Sequence, residues 1–297
     1  MPDSPHPPTL RASANLPAIG GVLAAFGVFS GCDALVKLMS ADVRVPQVTF
    51  MTTCAAFALV IGRAASNGTL SGLVPKRPRL ALLRALLLAG DTLLIHYAFA
   101  MLPLAQAYVL AFLTPVLVAV LAYILLGERL SWTGQLGVLL GFAGVAVALR
   151  PAGVMLNFGH AAAIGSALLF AASLILLRVI EAEESDDALV AALLFMLGCG
   201  AFGVTMATGG FGRVALPTLA YAGLAGTLLY AGHAFLVRAF RSGDASVLAP
   251  FQYSQIIWGC LYGVMLFGNP IETYTIAGGV IIILSGWLVL KSSREIN

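Results

Sequence analysis

Charged side chains are the residues that this sequence most clearly lacks. Only 10% of its 297 residues are Asp, Glu, Lys or Arg, and 60% are hydrophobic, whereas a soluble domain carries roughly 25% charged residues. The 16 basic and 13 acidic side chains are too few to cover a soluble domain of this length. The composition therefore excludes most soluble enzymes and nucleic-acid-binding proteins, and it indicates an integral membrane protein.

Cysteine is also scarce, and its spacing is uninformative. The four cysteines lie far apart in apolar runs and form no Cys-x-x-Cys or Cys/His pattern; they are Cys32, Cys54, Cys199 and Cys260. We therefore expect them to be small buried hydrophobes, without a disulfide, a metal site or a cofactor.

Long apolar runs take the place of polar surface. A membrane-spanning helix needs about 20 apolar residues, and the runs are apolar on every face, unlike the alternating strands of a membrane barrel. The predicted fold is an all-α integral membrane protein with ten transmembrane helices, at about 17–39, 47–65, 80–101, 105–126, 132–149, 159–180, 186–208, 215–239, 245–267 and 273–290.

The basic residues predict the orientation. With the N-terminus inside, twelve Lys and Arg residues lie at inner ends of spans, and four lie outside, namely Lys37, Arg44, Arg150 and Arg213. The positive-inside rule then favours two cytoplasmic termini in a bacterial inner membrane.

The two halves of the chain are similar. An offset of 141 residues aligns Gly127 with Gly268 and Gly137 with Gly278. Each half contains five spans, and an odd number forces the two copies into opposite orientations, as in many secondary transporters. We expect an N-terminal tail at 1–16, repeats at 17–150 and 151–290, and a C-terminal tail at 291–297.

A proline in span four, Pro115, precedes the turn Gly127-Glu128-Arg129-Leu130 and a glycine-rich fifth span. This pattern resembles the EamA-type members of the drug/metabolite transporter superfamily, although Asn269 and Pro270 replace the Glu-Arg pair in the second copy. The resemblance implies a ten-helix carrier, often an exporter, of small metabolites without covalent chemistry. The uncharged, aromatic helix faces look most like the aromatic amino acid exporters of YddG type.

Span one carries four residues on one helical stripe. Phe26, Ser30, Asp33 and Lys37 follow at intervals of 4, 3 and 4 residues, which places Asp33 and Lys37 to pair. Each charge at membrane depth costs about 2.5–3.5 kcal/mol, so the stripe should face protein or a wet cavity. Either Lys37 and Asp33 bind the carboxylate and ammonium of a substrate, or they form a structural pair with Lys37 extending to the interface.

Two histidines lie more than one helical turn inside a span. His233 in span eight shares a face with Tyr230, and His96 in span three shares a face with Phe99. Histidine titrates near neutral pH and would suit a proton-coupled carrier, but a lone histidine in a helix more often packs against a neighbour. We take Tyr230 and both histidines as candidate substrate contacts.

Spans four and nine occupy matching places in the two repeats, where a site at the membrane midplane is expected. Their aromatic and amide residues are candidate substrate contacts, and each also has a packing interpretation; they are Tyr108, Phe112, Gln252, Tyr253 and Trp258. Pro115 and Pro250 free backbone carbonyls within their helices and are candidate gating or kink positions.

Span five carries a strip of small residues. Its glycines at 134, 137, 141 and 144 lie on one face, which permits close helix approach either to span ten or across a homodimer. The sequence leaves a monomer and a homodimer open.

An intramembrane aspartyl protease is the rival from another class, because Asp33 and Asp91 could form a carboxylate pair. The segment Leu88-Ala89-Gly90-Asp91 lacks the first glycine of a GxGD signature, however. A channel or membrane scaffold is a further alternative.

We therefore predict a secondary transporter, not an enzyme, that exports neutral or aromatic amino acids by alternating access through a central cavity. One charge pair could match the two ends of a zwitterion, and the aromatic residues could contact its body. Other small solutes and drug-like cations are the alternative substrates.

Overall fold

The computed structural model describes residues 8–126, 132–149, 156–179, 185–242 and 253–296. Within these ranges the chain is helical and contains no strand. A short 3₁₀ helix at Leu70–Leu73 accompanies the α-helices, which are α1 Pro8–Met39, α2 Val45–Ser66, α3 Pro78–Met101, α4 Leu104–Ala111, α5 Thr114–Leu126, α6 Trp132–Leu149, α7 Phe158–Val179, α8 Asp186–Ala207, α9 Leu216–Ser242, α10 Ser254–Phe267 and α11 Thr273–Ile296.

Seven stretches of the described chain are long and apolar enough to cross a membrane, and three shorter apolar helices accompany them at Trp132–Ala148, Ser254–Phe267 and Thr273–Leu288. Each predicted span overlaps one of these ten stretches, which confirms the all-α membrane fold. The boundaries differ at the termini, because α1 begins within the predicted N-terminal tail and α11 continues to Ile296.

The predicted fourth span is two helices. The chain leaves the helical path between Ala111 and Thr114, just before Pro115. Pro115 has no N–H to donate to the carbonyl of Ala111 four residues earlier, and the Thr114 hydroxyl donates to that carbonyl at 2.7 Å instead. The proline therefore coincides with a break in the middle of the span.

The interior is built mainly by contacts between helices from opposite halves of the chain. α1 packs on α9, α3 on α7 and α8, α2 on α8 and α9, and α6 on α11. The short α4 contacts α7 and α10 and contributes most of its side chains to the largest apolar cluster. Six of its eight residues are buried, so α4 lies inside the bundle.

The small-residue strip packs α6 against α11. A Cβ atom on Gly278 would lie 2.6 Å from the Cβ of Ala148 and 2.7 Å from the carbonyl oxygen of Gly144, so only glycine fits. The Ser285 hydroxyl donates to the Gly137 carbonyl at 2.7 Å. Of the two predicted roles for the strip, the structure shows contact with span ten.

Two cysteines contradict the expectation of burial. Cys32 is buried, but Cys54 and Cys199 are exposed. Both line a groove of about 290 Å³ between α2 and α8, together with Phe57 and Phe202. In a membrane protein the lipid-facing surface is as apolar as the core. An apolar sequence context therefore does not show whether a cysteine is buried or exposed.

Polar contacts also join the two halves at the ends of the helices. The side-chain amide of Gln47 donates to the Gly212 carbonyl and accepts from the Gly212 N–H, both at 2.9 Å, and Arg44 donates to the Thr208 carbonyl. At the other end of α2, Arg63 donates to the Tyr230 hydroxyl at 3.3 Å. α2 is therefore tied to the second half near both of its ends.

Candidate functional site

Asp33 and Tyr108 form the centre of the candidate site. The Tyr108 hydroxyl donates to Oδ2 of Asp33 at 2.6 Å, which joins α1 to α4. Tyr108 is 3% exposed, and a Cβ atom on Gly259 would lie 2.5 Å from its ring, so α10 makes room for the phenol with a glycine. The sequence predicted both residues as substrate contacts but not their bond, because 75 residues separate them.

Ser30 adds an unpartnered hydroxyl beside this pair. It lies one turn before Asp33 on α1, is 0% exposed, and faces the phenol of Tyr108. Its Oγ atom has no hydrogen-bond partner in the structure. Since a buried polar atom without a partner costs free energy, Ser30 is ready to bind a polar group at this place.

Aromatic rings continue from Tyr108 through the bundle. The ring of Phe99 lies 5.2 Å from that of Tyr108, the ring of Phe112 lies 6.3 Å away on the other side, and the ring of Tyr253 lies 5.3 Å beyond Phe112. The Tyr253 hydroxyl is buried against Gly286 of α11. Three of the predicted aromatic residues, Tyr108, Phe112 and Tyr253, thus form one row of contacts.

Asp91 is a second carboxylate in the interior, and it was not among the predicted contacts. Ser166 of α7 donates to its Oδ1 at 2.5 Å. An acidic residue in the middle of an apolar span is itself a signal of function. The sequence interpretation used Asp91 only to weigh a protease.

Lys37 does not form the predicted ion pair. Its Nζ donates to the carbonyls of Phe99 at 2.6 Å and Leu102 at 2.7 Å, at the C-terminal end of α3, and it lies 5.3 Å from the centre of the Phe267 ring. Carbonyls in the last turn of a helix lack intrahelical donors and carry partial negative charge. Lys37 therefore caps α3, while Asp33 is bonded to Tyr108.

The two histidines and Tyr230 contact neighbouring helices. Nδ1 of His96 is 2.8 Å from the Thr49 hydroxyl. Nδ1 of His233 bonds to the Leu229 carbonyl at 2.9 Å, and its ring meets Phe29 of α1 edge to face at 5.0 Å. Tyr230 lies at the other end of the bundle from Lys37, beside Arg63. The structure does not bring Tyr230 to the Asp33–Tyr108 pair.

Trp258 of α10 packs against α1. Its indole lies 3.0 Å from the place of a Cβ atom on Gly27, and it stacks on Tyr262 at 6.4 Å. The remaining predicted positions, Gln252 and Pro250, lie outside the described residues.

The groove between α2 and α8 lies away from these residues. A smaller cavity of about 20 Å³ is lined by Gln106, Gly259 and Thr275, and its Gly259 packs against the ring of Tyr108. Phe112, like Tyr108, is only 3% exposed. Within the described ranges no group of three or more His, Cys, Asp or Glu residues could hold a metal ion.

Known proteins resemble the chain over most of its length. Residues 16–150 match the EamA-like transporter family. The pseudopaline exporter CntI of Pseudomonas aeruginosa is 27% identical over 269 residues, which cover 89% of this chain and 92% of the relative. The S-adenosylmethionine uptake transporter of Rickettsia conorii is 25% identical over 225 residues, or 74% of each chain.

A solved crystal structure superposes with a TM-score of 0.65, covering 97% of this chain and all of the other at 21% identity. At that identity the likeness shows a common fold. The family and the named relatives are transporters of small metabolites and not enzymes. Residues 16–150 thus carry the sequence pattern of the EamA-like transporter family, the whole chain resembles transporters, and it is a multi-pass membrane protein.

Proposed function

We propose that the protein exports a small metabolite that carries an ammonium group, with neutral and aromatic amino acids as the representative class. Transport proceeds by alternating access through a central cavity between two five-helix repeats. The observation that carries this proposal is the Asp33–Tyr108 pair, set among aromatic rings where α1 and α4 meet α10.

The helix contacts support an inverted repeat of residues 17–150 and 151–290. In such a repeat, each helix of the first half has an equivalent in the second: α1 and α7, α2 and α8, α3 and α9, α4–α5 and α10, and α6 and α11. A contact between two helices should then recur between their equivalents. The α1–α9 contact recurs as α7–α3, and the α2–α9 contact recurs as α8–α3. Two helices that are equivalent to each other and in contact, such as α6 with α11 and α2 with α8, then lie beside the twofold axis that relates the repeats.

Individual residues follow the same symmetry. Phe112 and Tyr253 are 141 residues apart and touch each other. The same offset relates Gly137 to Gly278 and Gly144 to Ser285, so the Gly137–Ser285 and Gly144–Gly278 contacts are equivalent. Contacts between equivalent residues support an axis beside the candidate site, where secondary transporters with inverted repeats bind substrate.

In this proposal the substrate ammonium binds Asp33, and the apolar body lies against Phe112, Tyr253 and Trp258. Since the rings of Phe112 and Tyr253 belong to different repeats, a substrate between them would contact both repeats as they move. Lys37 has the structural role, because its donors are used by the end of α3.

The orientation with both termini in the cytoplasm belongs to the same proposal. In this orientation Lys37, the end of α3 and the Gln47–Gly212 contact all lie on the outer side. These groups lie at one end of the bundle, which supports the orientation. The named relatives include an exporter and an uptake transporter, and the exporter matches the larger share of this chain, which supports outward transport.

Counterflow in proteoliposomes tests the proposal. Vesicles loaded with unlabelled tyrosine, phenylalanine or leucine should accumulate the labelled amino acid transiently, and Asp33→Asn and Tyr108→Phe should reduce the initial rate at least tenfold. Tyr221→Phe is the matched control, because Tyr221 is 41% exposed. Exchange of sugars or organic cations without exchange of any neutral amino acid would refute the amino acid assignment.

A further inference from the structure

The groove between α2 and α8 lies outside the proposed substrate site. Its volume is about 290 Å³, and four phenylalanine rings line it, which are Phe50 and Phe57 on α2 and Phe195 and Phe202 on α8. Both helices are long and apolar enough to span the membrane, and Phe195 and Phe202 are 51% and 46% exposed. The groove therefore opens onto the acyl chains of the bilayer.

An exposed arginine lies at one end of the two helices that form the groove. Arg44 directly precedes α2 and donates to the carbonyl of Thr208, directly after α8. Gly209 has a φ of +108°, and a Cβ atom there would lie 2.7 Å from Nη1 of Arg44, so a glycine lets the backbone approach the guanidinium. A guanidinium has five N–H donors and can bind a phosphate through two parallel hydrogen bonds.

The charge at this end of α2 and α8 is positive. Residues 40–47 and 205–216 carry two basic side chains, Arg44 and Arg213, and one acidic side chain, Asp42. All three are exposed. The net charge of one positive unit complements an anionic group at the surface of the membrane.

The spacing from Arg44 to the groove matches one leaflet of a bilayer. At 1.5 Å per residue, Phe50 and Phe57 lie about 9 Å and about 20 Å along α2 from Arg44. One leaflet is roughly 20 Å thick with its headgroups, of which about 15 Å is hydrocarbon. A lipid with its phosphate at Arg44 would therefore have an acyl chain beside Phe50, and that chain would reach the bilayer midplane near Phe57.

A third ring closes the Arg44 end of the groove. The ring of Phe211 lies 5.2 Å from that of Phe50 and 5.7 Å from that of Phe202. The two hydrogen bonds between Gln47 and Gly212 hold this segment on α2. The surface that joins the guanidinium to the groove is thus apolar and fixed in place.

We propose that this surface binds one phospholipid, with the phosphate at Arg44 and one acyl chain in the groove, and that it prefers a headgroup with net negative charge. Apolar contact alone gives little preference, because a lipid chain is already in an apolar environment before it enters the groove. The charge at Arg44 therefore supplies the selectivity, and packing against the phenylalanine rings holds the chain.

Photolabelling in proteoliposomes tests this proposal. Phosphatidylcholine vesicles contain, as a minor component, either phosphatidylglycerol with a diazirine in the middle of one acyl chain or phosphatidylcholine with the same chain. After irradiation, mass spectrometry of peptides should find more label on 50–57 and 195–202 than on other lipid-facing stretches. Phosphatidylglycerol should label these stretches roughly fivefold more than phosphatidylcholine, a factor that corresponds to about 1 kcal/mol for one basic residue near a headgroup.

Arg44→Gln tests the headgroup contact. It should reduce the preference for phosphatidylglycerol to within about twofold, because the neutral amide lacks the charge that attracts the anionic headgroup. Arg79→Gln is the matched control, because Arg79 is exposed at the opposite end of the bundle, at the start of α3. It should leave the preference unchanged.

Gly198→Leu tests the groove. A Cβ atom at Gly198 would lie 3.8 Å from Cγ2 of Thr53 on the opposite wall, so a leucine there fills the groove and should remove label from both stretches. Gly203→Leu on the same helix is the control, because a Cβ atom there would have no neighbour within 4 Å. Cys199→Phe is a second filling variant, because Cys199 is exposed and lines the groove.

Three results would overturn the proposal. Equal labelling by the two lipids, or a preference that persists in folded Arg44→Gln, would refute the recognition of a headgroup. Label spread evenly over the lipid-facing surface, or unchanged in both filling variants, would show general lipid contact without a site. A groove that is shielded from label in a dimer and labelled in the monomer would assign it to a second copy of the chain. The labelling requires no transport, so these results are independent of the proposed function.

Discussion

Replacing Lys37 by methionine removes a charge that the structure uses to end a helix. Lys37 donates to the carbonyls of Phe99 and Leu102 at 2.6 and 2.7 Å, and those residues are 1% and 3% exposed. Methionine fills similar space but donates nothing, so both carbonyls lose their partner without gaining water. Lys37→Met should therefore reduce the free energy of unfolding.

The magnitude follows from the two bonds. A buried polar group left unsatisfied costs about 1–3 kcal/mol, so two carbonyls cost about 2–6 kcal/mol together. With a conversion of about 2 °C per kcal/mol, the Tm should fall by at least about 4 °C. Thermal unfolding in detergent, followed by the loss of the monodisperse peak in size-exclusion chromatography, measures the change.

Lys291→Met is the matched control, because Lys291 is exposed near the end of α11 and lies 5.7 Å from the Trp287 ring centre. It should change the Tm by much less than Lys37→Met. The KM for substrate of the folded fraction of Lys37→Met should stay within about twofold of the original protein, since the two hydrogen bonds of Lys37 go to the end of α3. An unchanged Tm with a KM raised tenfold or more would show that Lys37 binds substrate and would refute its role as a cap.

Two further predictions concern packing and orientation. Gly144→Val should prevent stable folding, because even a Cβ atom there would lie 2.7 Å from Cγ1 of Ile282. Gly223→Ala is the control and should express normally, because a Cβ atom there would have no neighbour within 4 Å. Equal yields of the two variants in membranes would contradict the packing of α6 on α11. A cysteine at Val74 should react with an impermeant maleimide only after cells are permeabilised, and one at Arg213 should react in intact cells; the reverse pattern would invert the topology.

Much of the fold could be predicted because apolar run length is a local property. A span of about 20 apolar residues is visible without any knowledge of its neighbours, and the break at Pro115 follows from a missing N–H group. The strip of glycines in α6 likewise indicated a close helix contact. The sequence could not say which of the two candidate partners filled it.

The pairing of the charged residues could not be predicted in the same way. Helical spacing placed Asp33 and Lys37 side by side, but each has a stronger partner on another helix: a phenol on α4 for Asp33 and the carbonyl end of α3 for Lys37. The Asp91–Ser166 bond likewise spans 75 residues. Such partners depend on the packing of distant segments, which periodicity within one helix does not contain.

The interruption between α4 and α5 divides the proposed substrate site into two parts that can move separately. A continuous helix would have an amide at position 115 fixed to the Ala111 carbonyl, whereas the Thr114 hydroxyl that replaces it can follow that carbonyl by turning about its own side-chain bond. Tyr108 lies before the interruption and Phe112 within it. Tilting α5 would thus move Phe112 away from Tyr253 while Tyr108 keeps its hydrogen bond to Asp33. The aromatic contact between the two repeats would then open while the substrate ammonium stays bound to Asp33.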